Sequence, residues 1–232
     1  MSLLSPRETL DRQVQELLDQ VLMMGSMVEE AITRSVDALK RRDLEAARKI
    51  YADDQKINEK HYAIENNALT VIATQQPMAR DLRILAAILE VITELERIGD
   101  YAKGIARINI LLGDEPLVIS LKDIQSMSEL GKDFLRRSLN AFIARDAEAA
   151  RAIPQEDDKV DELYNRVYRD LLEVMISDTS TIDRSTYLLW AAHNLERMSD
   201  RVTNICERII FVVTGEILEL DRTDDEMAAE QS

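Results

Sequence analysis

Apolar residues recur at three-to-four spacing along most of this chain. In "ETLDRQVQELLDQVLMMGSMVEEAITRSVDALKRR" the residues Leu10, Val14, Leu17, Val21, Met24, Val28, Ile32 and Leu39 fall on one stripe, which predicts a long amphipathic helix. Asp43 is placed to cap a second helix running to about Ala73. Pro77 has no amide hydrogen and disfavours helix at Gln76, so "TQQPMARDLR" is a break. A third helix follows from about Ala79 to Leu112 and stops at "LGDEP". A fourth starts near Ser120, Asp146 caps a fifth, and "SDTSTIDRS" separates that from a sixth through "TYLLWAAHNLERMSDRVTNICERIIFVV". The stock of 6 Gly, 4 Pro and 4% aromatic residues favours these helices over short strands. An all-α protein is expected.

The helices come as two triplets, and the second repeats the first. "RDLEAARKI" (42 to 50) matches "RDAEAARAI" (145 to 153), and "DDQKIN" (53 to 58) matches "EDDKVD" (156 to 161), both at an offset of 103. "LERIGD" (95 to 100) matches "LERMSD" (195 to 200) at an offset of 100, so the later connection is three residues shorter. The chain therefore reads as an internal duplication: two tandem, sequence-related three-helix bundles of up-down-up antiparallel helices. The expected units are 1–115 and 116–215, followed by an acidic, solvated and disordered tail over 216–232.

A formal net charge of −15 disfavours nucleic acid and anionic lipid, because both are held by Lys and Arg. No uncharged run approaches the roughly 20 residues that span a bilayer, and the N-terminus lacks a basic region followed by an apolar core. A cytoplasmic protein without membrane insertion is expected. The single cysteine, Cys206, lies among apolar neighbours and reads as a buried thiol, and the Met23, Met24 and Met27 cluster reads as core filler.

Candidate chemistry lies in the repeated acids. Glu96 and Asp100 are four residues apart and share one face of the third helix, beside the apolar seam of Leu85, Ile88, Ile92, Leu95 and Ala102. Across a short turn, residues equidistant from it are level. Asp54 with Asp100, and Asn58 with Glu96, are centred on Pro77; Asp157 with Asp200, and Asp161 with Glu196, are centred on the second break. Glu30 with Asp54 is centred on Arg42, while Asp133 with Asp157, and Glu129 with Asp161, are centred on Arg145. Ser26 stands where copy two has Glu129, so the first site should be less acidic. Clustered carboxylates raise one another's pKa or recruit a cation, and oxygen donors without thiolates suit Mg²⁺, Mn²⁺, Ca²⁺ or iron.

A lone Glu-x-x-x-Asp is ordinarily a solvated helix face, and Arg97 and Arg197 offer it salt-bridge partners; the convergence across turns is what favours metal. His61 reads as a partly exposed helix residue, and His193, one turn from Glu196, as a structural histidine, with an accessory ligand as the lesser alternative. Neither sits in the Glu-x-x-His motif of di-iron bundles, which disfavours a carboxylate-bridged metalloenzyme; no Gly-rich phosphate loop or Gly-x-Ser-x-Gly occurs either. A purely structural scaffold is the other alternative.

"MGSMVEEAI", "QQPMARDLR", "LERIGDYAKGI" and "LERMSDRVTNICERIIFVV" together resemble the PhoU family of bacterial phosphate-signalling proteins. The resemblance implies two three-helix bundles with carboxylate metal sites holding iron or zinc, at Glu96, Asp100, Glu196 and Asp200 and then Asp54, Asn58, Asp157 and Asp161. It further implies a non-enzymatic homodimer that links the phosphate ABC transporter ATPase to a sensor histidine kinase and restrains the phosphate-starvation response. "LERMSD" departs from the commoner form through Met198 and Ser199, which flank the acids.

Overall fold

The computed structural model describes residues 5–220, and no strand occurs among them. Ser5 and Glu8 form a reciprocal capping box at the start of α1 (Pro6–Arg41), satisfying two amides that a helix N-terminus leaves bare. α2 (Leu44–Gln75) is capped by the Asp43 carboxylate, as expected, and α3 (Ala79–Leu112) begins after Pro77. The second unit comprises α4 (Lys122–Ala144), α5 (Ala147–Ala152), α6 (Asp158–Ser177) and α7 (Ile182–Thr214).

The expected fifth helix is thus two helices. Pro154 has no amide hydrogen to continue the ladder, and Pro154–Glu156 form a 3₁₀ turn between α5 and α6. The corresponding residue of the first unit is Tyr51, which lets α2 run unbroken. The break moves Asp157 from mid-helix to the N-cap of α6.

Within each unit the helices bury their apolar stripes against one another, and the two units share one core. They meet along α3 and α7. Gly104 approaches Asn194, Tyr101 meets Arg197, Glu94 meets Arg201 and Asn204, and Glu90 meets Arg208. As α3 advances, α7 retreats, so the two helices are antiparallel. The contacts are centred on Gly99 and Ser199, which correspond in the duplication, so an approximate two-fold axis passes between "LERIGD" and "LERMSD". Leu85, Ile88, Ile92, Leu95 and Ala102 are all buried, which leaves the acids at the rim of the packing seam. Of the methionine cluster, Met24 is fully buried, Met27 is half-buried and Met23 is exposed.

Beyond α7 the chain does not leave the surface at once. Leu218 and Leu220 pack on the core, and the Leu220 amide donates to Glu207 Oε1 at 2.8 Å. The rest of the acidic tail, from 221, lies outside the described residues. No described helix is long and apolar enough to cross a membrane.

Candidate metal centre

In the first unit, α2 supplies Asp54 and Asn58 and α3 supplies Glu96 and Asp100. Asp54 is only 5% exposed. Its Oδ2 accepts from Lys103 Nζ at 2.7 Å and from Asn58 Nδ2 at 3.4 Å, and Lys103 also reaches Asp100 Oδ1 at 3.2 Å. The Lys103 ammonium lies 5.6 Å from the centre of the Tyr51 ring. Burial pushes the Glu96 carboxyl above the ordinary carboxylate range, with the charges of Asp100 and Asp54 acting the same way and those of His61 and Arg97 opposing. The hydrogen bond to Asp54 raises the Lys103 pKa in turn. A cleft of about 220 Å³, lined by Glu30, Arg34, Asp53, Asp54, Gly99 and Lys103 among others, opens beside these groups.

Glu30 stands at that cleft but is held by Arg34 at 3.7 Å, and Arg34 also bonds Asp53, which Lys56 bonds at 2.7 Å. The second unit repeats this arrangement. Arg137 joins Asp133 and Glu156, and Lys159 bonds Glu156. The paired cations hold the Glu156 carboxyl far below its usual range, at about 2. Arg34 with Arg137, and Lys56 with Lys159, are both 103 apart, so the repeat in the sequence carries this basic set as well as the acids.

In the second unit, His193 Nδ1 lies 2.9 Å from Glu196 Oε2, and the Tyr164 ring lies 6.1 Å from the imidazole. Burial and then the Glu196 charge raise the Tyr164 phenol pKa. Asp157 sits at the α6 N-cap, Asp161 is exposed in its first turn, and the Arg197 pKa is raised chiefly by its hydrogen bond to Tyr101, with the charges of Asp200 and Glu196 adding to it. Arg197 itself donates to the Tyr101 hydroxyl at 3.2 Å, and Arg97 bonds Glu94 at 2.7 Å.

Glu129 turns outward and does not join Asp161 in an acid cluster as expected. Its side chain is 73% exposed and pairs with Lys132 at 2.8 Å. With Glu29, Glu30 and Asp133 it lines a groove between α1 and α4. Distance from a turn fixes height along a helix; the direction in which a side chain points is fixed by the apolar seam. In α4 that seam is Ile124, Met127, Gly131, Phe134 and Leu135, which turns Glu129 outward. Among the described residues, no three His, Cys, Asp or Glu side chains stand close enough to hold one ion. In the first unit the reason is visible: the carboxylates are drawn to Lys103 and Arg34. The donor type nevertheless fits a hard cation, because Asp54 Oδ1 and Asn58 Oδ1 are buried there with no hydrogen-bond partner.

The PhoU domain profile matches residues 21–108 and 124–209, one match in each unit. The chain belongs to the PhoU family. It is 35% identical over 216 residues to "Phosphate-specific transport system accessory protein PhoU homolog" of Clostridium acetobutylicum, covering 93% of this chain and 99% of that one. It is 37% identical over 207 residues to the PhoU homolog of Caulobacter vibrioides, covering 89% and 90%. The crystal structure of the phosphate transport system regulatory protein PhoU from Streptococcus pneumoniae superimposes with a TM-score of 0.83 at 30% identity, covering 90% of this chain and 99% of that one. PhoU from Pseudomonas aeruginosa gives 0.83 at 30% identity over 89% and 99%. Two tandem PhoU repeats related by an approximate two-fold axis are therefore the fold.

Proposed function

We propose that the protein is an accessory regulator of phosphate transport, acting in the cytoplasm as a homodimer without enzymatic turnover. In this reading it links the ATPase of the phosphate ABC transporter to a sensor histidine kinase and restrains the phosphate-starvation response. The observation that carries the reading is the likeness of both units, over about nine-tenths of the chain, to proteins named as phosphate-transport accessory proteins. A net charge of −15 suits partners that present basic surfaces.

The reading includes a metal cation at each acid cluster: iron or zinc as the family implies, with Mg²⁺ or Mn²⁺ also suited to oxygen donors. Asp54, Asn58, Glu96 and Asp100 would hold it in the first unit; Asp157, Asp161, Glu196 and Asp200 would hold it in the second, with His193 beside them. When bound, the cation would neutralise the acids and cross-link the helices that carry them. The chain's own residues already set the stage: Asp54 is held at the cleft by Asn58, and Glu96 is partly desolvated.

Deleting the gene tests the regulatory part. Phosphate-uptake genes should be derepressed in phosphate-replete medium, and unchanged expression would contradict the proposal. Metal analysis of the purified protein tests the other part: Glu96→Ala with Glu196→Ala should strip the metal, and equal uptake by the variant would count against the clusters.

A further inference from the structure

The first cluster already contains a cation. Lys103 bonds the buried Asp54 at 2.7 Å and Asp100 at 3.2 Å, with its ammonium over the Tyr51 ring. The other Lys and Arg residues that bond acids around this cleft, Arg34 and Lys56, are repeated as Arg137 and Lys159. Lys103 is not repeated: Thr203 stands at the corresponding position, and Pro154 stands where Tyr51 does. The lysine and the ring that cradles it are thus absent together from the second unit. Asn58 corresponds to Asp161, so the matched positions carry a formal charge of −2 in the first unit and −4 in the second.

The ammonium also leaves the first cluster incomplete. Asp54 Oδ1 and Asn58 Oδ1 stay buried without a hydrogen-bond donor, and one ammonium with three protons does not reach them. The Lys103 side chain is 28% exposed, so its flexible stem can carry the charge out to water while the acids stay in place. We propose that Lys103 is a tethered cation that competes with metal for the first cluster, which fills only as Lys103 is displaced from Asp54 and Asp100. This inference rests on the metal reading above.

The test uses the full chain, stripped with chelator and titrated with Mn²⁺ while the spin-resonance signal of unbound Mn²⁺ is followed. Glu196→Gln with Asp200→Asn isolates the first cluster. On that background Lys103→Thr, which copies the second unit, should tighten Mn²⁺ binding by roughly ten- to hundredfold, the range that a charge-assisted hydrogen bond to a buried carboxylate represents. Lys103→Met, which keeps an apolar stem against Tyr51, should do the same and guards against a folding defect. Both variants should melt lower than their parent without metal and recover with Mn²⁺, because only the folded chain binds it. Unchanged or weaker affinity in both variants overturns the inference. If the wild type binds Mn²⁺ and loses most of it through Glu196→Gln with Asp200→Asn while the Lys103 variants change nothing, the metal reading stands and this inference falls. If no chain binds Mn²⁺, both fall.

Discussion

Cys206 lies on the face of α7 that enters the shared core, with none of its surface exposed. Burial, followed by the charge of Glu207, pushes its thiol pKa up to about 12. A thiol whose folded pKa lies above its unfolded value, about 8.5, adds stability that is fully present below that pH and is lost as pH rises towards the folded value. Thiol reagents should therefore find no reactive group in the native protein at pH 8 and one per chain in denaturant. Stability should decline from about pH 9 upward, and Cys206→Ala should remove that part of the decline; rapid labelling of the native protein would contradict the account. Apolar neighbours made this residue legible in the sequence. Asn109 was not legible: fully buried, it donates to the Ala38 and Asp43 carbonyls and accepts from Arg42, tying α3 to the α1–α2 turn. Such a partnership joins residues about seventy apart, and no local pattern announces it. Lys103 escaped notice for a similar reason, since its acid partner Asp54 lies on a different helix.

The helices owe their ends to local chemistry, and both units use the same device after their first helix. Arg42 and Arg145 adopt left-handed backbone at φ 57° and 55°, and their amides close onto the preceding turn. The next residue is an Asp that caps the following helix, through Ala46 in one unit and Ala149 in the other. A side chain in this conformation is strained, and glycine is not. Arg145→Gly should stabilise the protein by roughly 0.5–1 kcal/mol in chemical denaturation, the relieved strain less the added freedom of the unfolded chain. Arg42→Gly should instead destabilise by about 1 kcal/mol, because the Arg42 guanidinium also donates to Asn109 Oδ1 and the Gly113 carbonyl. Destabilisation by both substitutions to the same extent would show that the turns do not differ as described. Helix starts at Asp43 and Asp146 and the stop before Pro77 follow from single residues and were readable. The break at Pro154 was readable by the same rule, yet the repeat with 42–50 draws attention to the likeness and away from the proline.

At the scale of the whole molecule, duplication and the antiparallel meeting of α3 with α7 bring the two acidic motifs to an approximate two-fold axis. The duplication is in the sequence; the axis is not, because it depends on which faces of α3 and α7 remain uncovered after each triplet has formed. Those faces are joined by polar ties as well as apolar packing, with Glu94 bonding Asn204 at 3.3 Å and Arg201 at 3.6 Å across the units. The same limit explains the candidate site. The levels of Asp54, Asn58, Glu96 and Asp100 could be counted from a turn, and Lys103 does join Asp54 to Asp100. The outward direction of Glu129 could not be counted, since packing sets it. In the proposed function the acidic motifs are the working part of a phosphate-transport regulator. The measurement that tests this most directly is expression of phosphate-uptake genes in a deletion strain carrying either the wild-type gene or Glu96→Gln, Asp100→Asn, Glu196→Gln and Asp200→Asn combined, at equal levels of folded protein in high phosphate. The wild type should restore repression and the variant should leave the genes derepressed; full repression by the variant would contradict the account.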